Sequence, residues 1–211
     1  ISAKIANENL TVIVGTGDGD SYGEGGNHFI HNLRRNVDIT HFVHNNQIYG
    51  LTKGQASPTT GLGQVTDVQV SGNINEPLNP VLVAIACGGG FVARSFAGDK
   101  AHLTEMMKKA IQHKGYSYLD ILQPCVSFNK VNTFAYYRER VYPLADGYDP
   151  TDKAAALQKA MEYGDKIPIG VIYREDKPTY HEKNDILKAG GPLLDRPTGA
   201  NVVKDLMAEL V

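Results

Sequence analysis

Oxygen-bearing side chains follow two separate apolar runs of the sequence, and glycines accompany the first of them. A Gly-Asp-Gly-Asp motif occupies 17–20 after the run 10–14, and Asn46 comes after the run 39–43. Backbone N–H groups point at an anion when a strand, a glycine turn and a helix follow one another in that order. Phosphate is the expected ligand. The carboxylate of Asp18 beside a diphosphate would hold a hard cation such as Mg²⁺, and Asn46 would add a neutral oxygen.

The elements that must position these ligands alternate between strand and helix. The segments 10–14 and 39–44 are predicted strands, a helix is predicted over 26–35, and a loop rich in Gly, Ser, Thr and Pro follows the second strand. Such alternation is typical of a parallel α/β sheet. Ligands of open α/β sheets lie at the carboxyl ends of the strands, so Asp18 and Asn46 are expected at one edge.

The middle of the chain continues this alternation. Residues 80–86 form a short apolar run, which fits either a helix or a buried strand. Residues 103–113 carry apolar side chains at the spacing of a one-sided helix, and 118–122 is predicted to be the next buried strand. Because Pro124 ends that strand, Cys125 is predicted at the same sheet edge as the oxygen ligands.

The last third of the chain is predicted to be less regular. The tyrosine-rich segment 132–148 is interpreted as an irregular interface segment. Thr151 is the predicted N-cap of a helix over 152–163, and 167–173 is predicted to be the final strand, at a sheet edge. A short amphipathic helix over 201–210 closes the predicted tail.

Composition and charge bound the class of protein. The 211 residues are 42% hydrophobic and 21% charged, which suits one soluble α/β domain with a full core. A net charge of -2 gives no reason to expect nucleic acid, and no apolar run approaches the ~20 residues that span a bilayer. Only Cys87 and Cys125 occur, too few for a disulfide framework or a single-chain zinc site, so a reducing cytoplasm is the expected compartment.

Four segments together carry a resemblance to a known family. They are GDGDSYGEGGNHFIHNLRRNVDIT at 17–40, NNQIYGLTKGQASPTT at 45–60, FVARSFAGD at 91–99 and LQPCVSFN at 122–129. A Gly-Asp-Gly turn with a double asparagine downstream resembles the motif that binds thiamine diphosphate (ThDP). With the other segments in the same order, the chain resembles the beta subunit of the 2-oxoacid:ferredoxin oxidoreductases.

The resemblance implies a fold and a domain organisation. The fold is the ThDP diphosphate-binding module, a mainly parallel sheet flanked by helices, with 80–86 helical and 91–95 a strand. One such domain would span 1–211, with 126–211 as a C-terminal extension that packs on a partner subunit. The chain opens on residues typical of the end of a helix, so we expect the N-terminal part of the module to be missing.

The resemblance implies that ThDP carries out the oxidative decarboxylation of a 2-oxoacid to acyl-CoA and CO2, or the reverse, while the protein positions it. A Mg²⁺ shell would be made by Asp18, Asn46 and the backbone carbonyl of Ile48. The full set of residues expected near ThDP is Gly17, Asp18, Gly19, Asp20, Asn46, Ile48, Tyr49, Gly50 and Leu51. No side chain of the chain is assigned a catalytic step.

Cys125 is the second residue with an expected chemical role. A lone cysteine is ordinarily a small buried hydrophobic residue. The segment around Cys125 resembles the one that supplies the fourth ligand of a 4Fe-4S cluster in the family, and the other three cysteines are expected upstream of Ile1. The cluster would pass electrons to ferredoxin, whereas Cys87 is expected in the core.

Lys53 is a candidate contact for a substrate carboxylate or a coenzyme A phosphate, with a solvated loop lysine as the alternative. Its place beside Leu51 favours 2-oxoglutarate over pyruvate, and a broad 2-oxoacid specificity stays open. The histidines of the first two helix and strand segments lack acidic or cysteine partners and are interpreted as structural or surface residues: His28, His31, His41 and His44.

The resemblance also implies partners. The glutamate that activates the aminopyrimidine of ThDP would come from an alpha subunit, which would carry the pyrimidine half of the site in a heterodimer or a dimer of heterodimers. Coenzyme A would be the co-substrate. Two alternatives stay open: a non-redox ThDP-dependent decarboxylase or acetolactate-synthase-like enzyme, and a non-catalytic phosphate-binding scaffold subunit. Neither a membrane nor a nucleic acid is an expected partner.

Overall fold

A mixed, mostly parallel sheet forms the centre of the protein. The computed structural model describes residues 1–196, together with 204, 207 and 208, so the predicted tail helix over 201–210 lies largely outside the described residues. The strands are β1 (Ile13–Gly17), β2 (Thr40–Asn45), β3 (Phe91–Phe96), β4 (Ser117–Leu122), β5 (Val141–Pro143) and β6 (Ile167–Arg174). They pair in the order β1-β2-β4-β3-β6-β5.

Four neighbouring strands, β1, β2, β4 and β3, run parallel to one another. The strand β6 is antiparallel to β3 and parallel to β5. Every residue of β3 and β4 is buried, as expected for parallel strands that are covered on both faces. The predicted α/β class with a mainly parallel sheet is confirmed.

Helices connect the strands. They are α1 (Ser2–Ala6), α2 (Gly26–Arg35), α3 (Pro80–Ala86), α4 (Lys100–Gln112), α5 (Phe134–Arg140), α6 (Lys153–Met161), α7 (Tyr180–Lys183) and α8 (Asp185–Lys188), with a 3-10 turn at Leu193–Asp195. Side-chain caps fix the starts of α3 and α4, where Asn79 accepts the N–H of Leu82 and Asp99 accepts the N–H of His102. No helix in the described part of the chain has both the length and the apolar character needed to cross a bilayer.

Side chains on the two faces of the sheet belong to separate apolar clusters. On one face, Val43 and Tyr118 pack with buried side chains of α2, α3 and α6. On the other face, Phe42 and Leu119 pack with α4 residues such as Met106. Because successive strand residues point to opposite faces, this alternation buries both sides of the parallel strands. The carboxyl ends of these strands are therefore held by a packed core on either side.

A charged pair is buried in the middle of the sheet. Arg94 of β3 and Asp120 of β4 are direct partners in the parallel register, and Nε of Arg94 lies 2.9 Å from Oδ2 of Asp120. Each side chain is only 1% exposed. Nδ2 of Asn45 donates to the other carboxylate oxygen of Asp120 at 3.0 Å. A charge this deeply buried requires such partners, because removing one leaves the other uncompensated.

The first strand differs in its bounds from the prediction. It covers Ile13–Gly17 rather than 10–14, because its pairing with β2 continues through both glycines of the strand as far as Gly17 opposite His44. Leu10 lies outside the sheet and is 43% exposed. A π-helical turn over Asp20–Glu24 then precedes α2, so the segment between strand and helix is partly helical rather than a simple turn.

The prediction that 132–148 is irregular was wrong, because the segment contains α5 and β5. Thr133 caps α5 by accepting the N–H of Tyr136, and Tyr137 is fully buried. Its neighbour Tyr136 is half-buried and packs against the same apolar cluster as Tyr137. Whether the segment contacts a partner, and whether 126–211 packs on one, stays a prediction.

Two predictions for the last strand and helix also need correction. The strand β6 is not at an edge, because it lies between β3 and β5. The helix α6 is capped by Asp152, whose carboxylate accepts the N–H groups of Ala154 and Ala155. The hydroxyl of Thr151 instead donates to Asp149. The aspartate side chain outcompetes the threonine because it reaches the first exposed N–H groups of the helix.

Candidate metal and diphosphate site

The first two predicted metal ligands lie together at the carboxyl edge of the sheet. Gly17 at the end of β1 is opposite His44 near the end of β2, so the residues that follow each strand are neighbours. The backbone N–H of Asn46 donates to Oδ1 of Asp18, with an N–O distance of 3.3 Å. The parallel register of β1 and β2 is therefore what brings the Gly-Asp-Gly motif and the double asparagine to one place.

Asp18 is a buried carboxylate held by hydroxyl groups. It is 1% exposed, and its Oδ2 accepts the hydroxyls of Ser57 at 2.5 Å and Thr59 at 2.7 Å. Burial raises the pKa of Asp18 above its ordinary value of 3.8, and the hydrogen bonds offset only part of that increase. The contacts that its carboxylate makes with the described residues come from neutral donors, the N–H of Asn46 and the hydroxyls of Ser57 and Thr59. The carboxylate therefore has oriented donors but no cationic contact in the described part of the chain.

A tight turn of the backbone positions the two predicted ligands other than Asp18, which are Asn46 and the carbonyl of Ile48. Gln47 has a positive φ of 57°, which turns the chain between Asn46 and Ile48. Oδ1 of Asn46 accepts the N–H of Ile48 at 3.1 Å, and the backbone oxygen of Asn46 accepts Nδ2 of Asn129 at 2.9 Å. The turn fixes the amide of Asn46 while its oxygen keeps a second lone pair.

These donors fit a hard divalent cation. Mg²⁺ is bound through carboxylate and other oxygens and keeps positions for phosphate oxygens. Asp18, Asn46 and the carbonyl of Ile48 would hold the ion, which would supply the positive charge that the buried carboxylate lacks. A Cβ added at Gly17 would meet no atom of the described residues, so the end of β1 has space beside it. The chain thus fits the metal and diphosphate part of ThDP.

The turn after the double asparagine carries the remaining predicted contacts. A Cβ at Gly19 would overlap the ring of Tyr49, and the hydroxyl of Tyr49 donates to the carbonyl of Gly19 at 3.3 Å. Any larger residue at position 19 would have to displace the tyrosine ring, which occupies that side of the glycine. Leu51 is 97% exposed, and Lys53 is exposed with a positive φ of 72°. Asp20 is exposed as well, in the first turn of the π-helix.

Cys125 lies beside this turn. It is half-buried, and a Cβ added at Gly50 would lie 3.9 Å from its Sγ. The loop that follows is tied back to the site because Asn129, whose N–H donates to the carbonyl of Cys125, also donates to the backbone of Asn46. Among the described residues, no group of three or more His, Cys, Asp or Glu side chains could hold a metal. The described residues therefore supply fewer than three of the four ligands of a cluster at any one place.

The histidines lie away from these ligands or are bound to other groups. His28 and His31 are exposed on α2, and Nδ1 of His44 lies 2.6 Å from Oε1 of Gln123. His41 is buried, with its Nε2 2.8 Å from the hydroxyl of Thr16 and its Nδ1 2.7 Å from the hydroxyl of Tyr116. Burial lowers the pKa of His41 to about 4, so its ring is neutral at neutral pH.

Sequence reasoning missed the hydroxyl residues that hold Asp18. Ser57 and Thr59 stand in the Ser-Pro-Thr-Thr run that ends the loop segment 45–60, and the hydroxyls of such a run can bind an anionic oxygen. Thr59 also lies 3.0 Å from Oδ1 of Asn45, which connects Asp18 to the buried pair of the sheet through Asn45. A short polar chain thus runs from the metal ligand into the core.

We expect Thr59→Val to weaken the binding of Mg²⁺ and ThDP by roughly tenfold, because one hydrogen bond to the carboxylate of Asp18 is lost while the shape is kept. Titration calorimetry on the purified protein measures this. Thr66→Val is the matched control, because Thr66 is a buried threonine of the same loop whose hydroxyl contacts Gln69. Equal affinities in both variants would contradict the assigned role of Thr59.

The raised pKa of Asp18 makes a prediction about pH. The stabilisation that Asp18 gives the folded state is fully present below its pKa of 3.8 in the unfolded chain. It is lost as pH rises through the higher pKa of Asp18 in the folded state. Without metal, wild type should therefore lose free energy of unfolding relative to Asp18→Asn as pH rises from acidic to neutral. Urea unfolding measures the difference, and saturating Mg²⁺ with ThDP should reverse its sign. A pH-independent difference would contradict a raised pKa.

Two protein-family models match the chain. The model for the thiamine pyrophosphate enzyme C-terminal TPP binding domain matches residues 1–121, and the model for the C terminal of the pyruvate ferredoxin oxidoreductase beta subunit matches residues 125–189. Thiamine pyrophosphate is the same molecule as ThDP. Together with the parallel sheet and the Asp18 site, the first match defines a ThDP-binding domain.

Similar proteins narrow the class further. The 2-oxoacid:ferredoxin oxidoreductase subunit beta of Saccharolobus solfataricus is 45% identical, over 97% of this chain and 70% of that one. Subunit beta of 2-oxoacid:ferredoxin oxidoreductase 1 of Aeropyrum pernix is 45% identical, over 85% of this chain and 60% of that one. A similar solved structure is that of a 2-oxoglutarate:ferredoxin oxidoreductase from Magnetococcus marinus with 2-oxoglutarate, coenzyme A and succinyl-CoA bound. The match has a TM-score of 0.89 and 34% sequence identity, and it covers 98% of this chain and 70% of that one.

The chain belongs to the family of beta subunits of 2-oxoacid:ferredoxin oxidoreductases. The resemblance stated from the sequence is thereby confirmed. The chain spans between 60% and 70% of the lengths of the two subunits just described.

Proposed function

We propose that this chain holds the metal and diphosphate half of ThDP in an enzyme that oxidatively decarboxylates a 2-oxoacid to acyl-CoA and CO2, or catalyses the reverse. The observation that carries the proposal is Asp18. It is buried directly after β1, accepts hydrogen bonds from the N–H of Asn46 and from two hydroxyls, and has no cationic contact among the described residues. Membership of an oxidoreductase family supports the same conclusion.

The residues of the chain bind and orient in this proposal. Asp18, Asn46 and the carbonyl of Ile48 hold Mg²⁺, and the hydroxyls of Ser57 and Thr59 keep the carboxylate of Asp18 in one orientation. When bound, ThDP supplies the electron sink for cleavage of the bond beside the keto group. The burial of Asp18 excludes water from its side of the metal, which strengthens the attraction between carboxylate and cation.

We further propose that Cys125 is one ligand of a 4Fe-4S cluster that passes electrons to ferredoxin. Its half-buried thiol beside the Tyr49–Gly50 turn supports this place, since a cluster there would lie next to the ThDP site. The remaining cysteines would come from outside the described residues. An alpha subunit would carry the pyrimidine half of ThDP, and the cytoplasm is the proposed compartment.

The function is tested by assaying the complete protein, purified without oxygen together with its partner subunit. We expect reduction of ferredoxin that requires coenzyme A and a 2-oxoacid, with 2-oxoglutarate used better than pyruvate. Decarboxylation without any electron acceptor would instead identify a non-redox enzyme. Absence of any ThDP-dependent turnover would identify a scaffold subunit.

Lys53 gives a test of substrate choice. Its left-handed backbone suits glycine, so Lys53→Gly removes the charge without straining the turn. If Lys53 meets the distal carboxylate of the substrate, the KM for 2-oxoglutarate should rise by roughly tenfold, about 1.4 kcal/mol, while the KM for pyruvate stays unchanged. Lys53→Arg, which keeps the charge, should retain most of the preference. Unchanged KM values for both substrates in Lys53→Gly would make Lys53 a solvated lysine.

A further inference from the structure

Asn45, the first residue of the double asparagine, ends β2 and is only 2% exposed. Its side-chain amide makes two hydrogen bonds. Nδ2 donates to Oδ1 of Asp120 at 3.0 Å, and Oδ1 accepts the hydroxyl of Thr59 at 3.0 Å. That hydroxyl is also within donating distance of Oδ2 of Asp18, at 2.7 Å. One side chain therefore separates Asn45 from the first of the proposed metal ligands.

The buried pair of the sheet fixes which end of the Asn45 amide faces Thr59. Asp120 is paired with Nε of Arg94, and the oxygens of a carboxylate accept hydrogen bonds without donating any. The NH2 end of Asn45 must therefore face Asp120, and the carbonyl end must face Thr59. A flipped amide would bring its oxygen against the carboxylate and leave two buried acceptors in contact.

The hydroxyl of Thr59 has one proton and two acceptors on either side of it. A hydroxyl hydrogen rotates about the C–O bond, so the proton can serve either acceptor while the oxygen keeps its place. Asp18, Asn45 and Thr59 are each at most 2% exposed, so bulk water has little access to these hydrogen bonds. The carbonyl of Asn45 thus holds the oxygen of Thr59 at hydrogen-bonding distance from Asp18.

This link ties a loop residue to the sheet. Ser57, which also donates to Oδ2 of Asp18, has the hydroxyls of Thr59 and Thr60 as its other side-chain neighbours, each at 3.3 Å. Those neighbours belong to the same loop as Ser57. Thr59 is different, because Asn45 connects it to the ends of β2 and β4. A side chain that orients a metal ligand acts best when a rigid element supports it.

We propose that Asn45 is a positioning residue of the metal site. It holds the hydroxyl of Thr59 against Asp18, and so keeps the carboxylate in the orientation that binds Mg²⁺. The inference rests on the function proposed above and adds a residue to it. Because Asn45 acts through Thr59, its contribution to the affinity disappears when Thr59 has no hydroxyl. An asparagine that only stabilises the end of β2 would contribute equally with and without that hydroxyl.

A double-mutant cycle tests this dependence. Titration calorimetry on the complete protein measures the affinity for ThDP at saturating Mg²⁺ in wild type, Asn45→Leu, Thr59→Val and the double variant. Leucine keeps the branched shape of asparagine and removes both polar ends. We expect Asn45→Leu to weaken binding roughly threefold to tenfold when Thr59 is present, and by less than about twofold in Thr59→Val. Losses of equal size in both backgrounds overturn the proposal, and so does an unchanged affinity of Asn45→Leu.

Asn32→Leu is the matched control, because Asn32 is a buried asparagine whose amide donates to the carbonyl of His28 within α2. It should bind ThDP as wild type does. A loss in Asn32→Leu equal to that in Asn45→Leu would mean that any buried asparagine affects the site through stability, and would overturn the proposal. If wild type itself binds no ThDP with Mg²⁺, the function proposed above fails as well. Normal binding by wild type with an additive cycle removes only the role of Asn45.

Thr59→Ser keeps the proposal testable if Asn45→Leu does not fold. Serine retains the hydroxyl but lacks the methyl group that restricts rotation of the threonine side chain. Since Asn45 still holds the hydroxyl, Thr59→Ser should bind ThDP within about threefold of wild type. A loss as large as that in Thr59→Val would show that the methyl group, and not the hydrogen bond to Asn45, places the side chain, and would overturn the proposal.

Discussion

Asp18→Asn should reduce the Mg²⁺-dependent affinity for ThDP by at least roughly 100-fold, about 2.7 kcal/mol, while leaving the metal-free protein as stable as wild type or more stable. The amide keeps the shape of the carboxylate, so the packing at the end of β1 is unchanged. It removes the negative charge that is proposed to hold the metal, and it also removes the cost of burying that charge without a cation. Titration calorimetry and urea unfolding measure the two effects.

The interpretation that Asp18 holds the metal requires that the affinity for ThDP falls while the free energy of unfolding of the metal-free protein does not. Asp67→Asn is a suitable control, because Asp67 is an exposed aspartate of the loop after the site. It should change neither the affinity for ThDP nor the free energy of unfolding. If Asp18→Asn bound Mg²⁺ and ThDP as tightly as wild type, the carboxylate would have a structural role only, and the scaffold alternative would gain support.

Cys125→Ala should remove the iron of a cluster bound at this chain and abolish reduction of ferredoxin. If Cys125 is a ligand of one 4Fe-4S cluster, iron should fall from about four atoms per chain towards zero, with loss of the visible absorbance. Binding of Mg²⁺ and ThDP should persist, because Cys125 is not among the proposed ligands of the metal. Iron and sulfide analysis of the anaerobically purified complete protein measures the first effect.

Cys87→Ala is the matched control, because both cysteines are half-buried and free. Cys87 packs against the core beside α3, so its replacement should cost some stability without loss of iron. Equal iron contents in the two variants would exclude Cys125 as a ligand. Loss of iron in both would point to a general loss of the fold instead.

The parts of the site that follow from local sequence could be predicted, and those that depend on long-range contacts could not. Glycines and an aspartate after an apolar run, with a double asparagine after the next, were enough to place Asp18 and Asn46 at one edge. The structure brings them into contact through the register of β1 and β2. Ser57 and Thr59 were missed because a loop can return its hydroxyls to any part of the edge, and the sequence does not say which.

The buried pair shows a signal that was present but not used. Arg94 and Asp120 each occupy the fourth position of a six-residue apolar strand, β3 and β4. Opposite charges at the same position of two strands indicate cross-strand pairing when the strands are adjacent and parallel. The order of the strands was needed to see it, and sheet order cannot be read from periodicity alone.

Errors in the last third of the chain share a physical cause. The segment 132–148 lacks a clear apolar period because Tyr137 is buried while the side chains around it are more exposed, so its helix was not apparent. The position of β6 inside the sheet depends on the short β5, which is only three residues long. A strand of that length leaves almost no pattern in the sequence.

The central claim is that Asp18, Asn46 and the backbone of Ile48 hold the metal of ThDP. A crystal structure of the complete protein with ThDP and Mn²⁺ in place of Mg²⁺ tests it most directly, because anomalous scattering locates the ion. We predict one anomalous peak at about 2.1–2.2 Å from oxygens of these three residues, bridging to the diphosphate. A peak away from Asp18, or ThDP bound without an ion at this edge of the sheet, would contradict the claim.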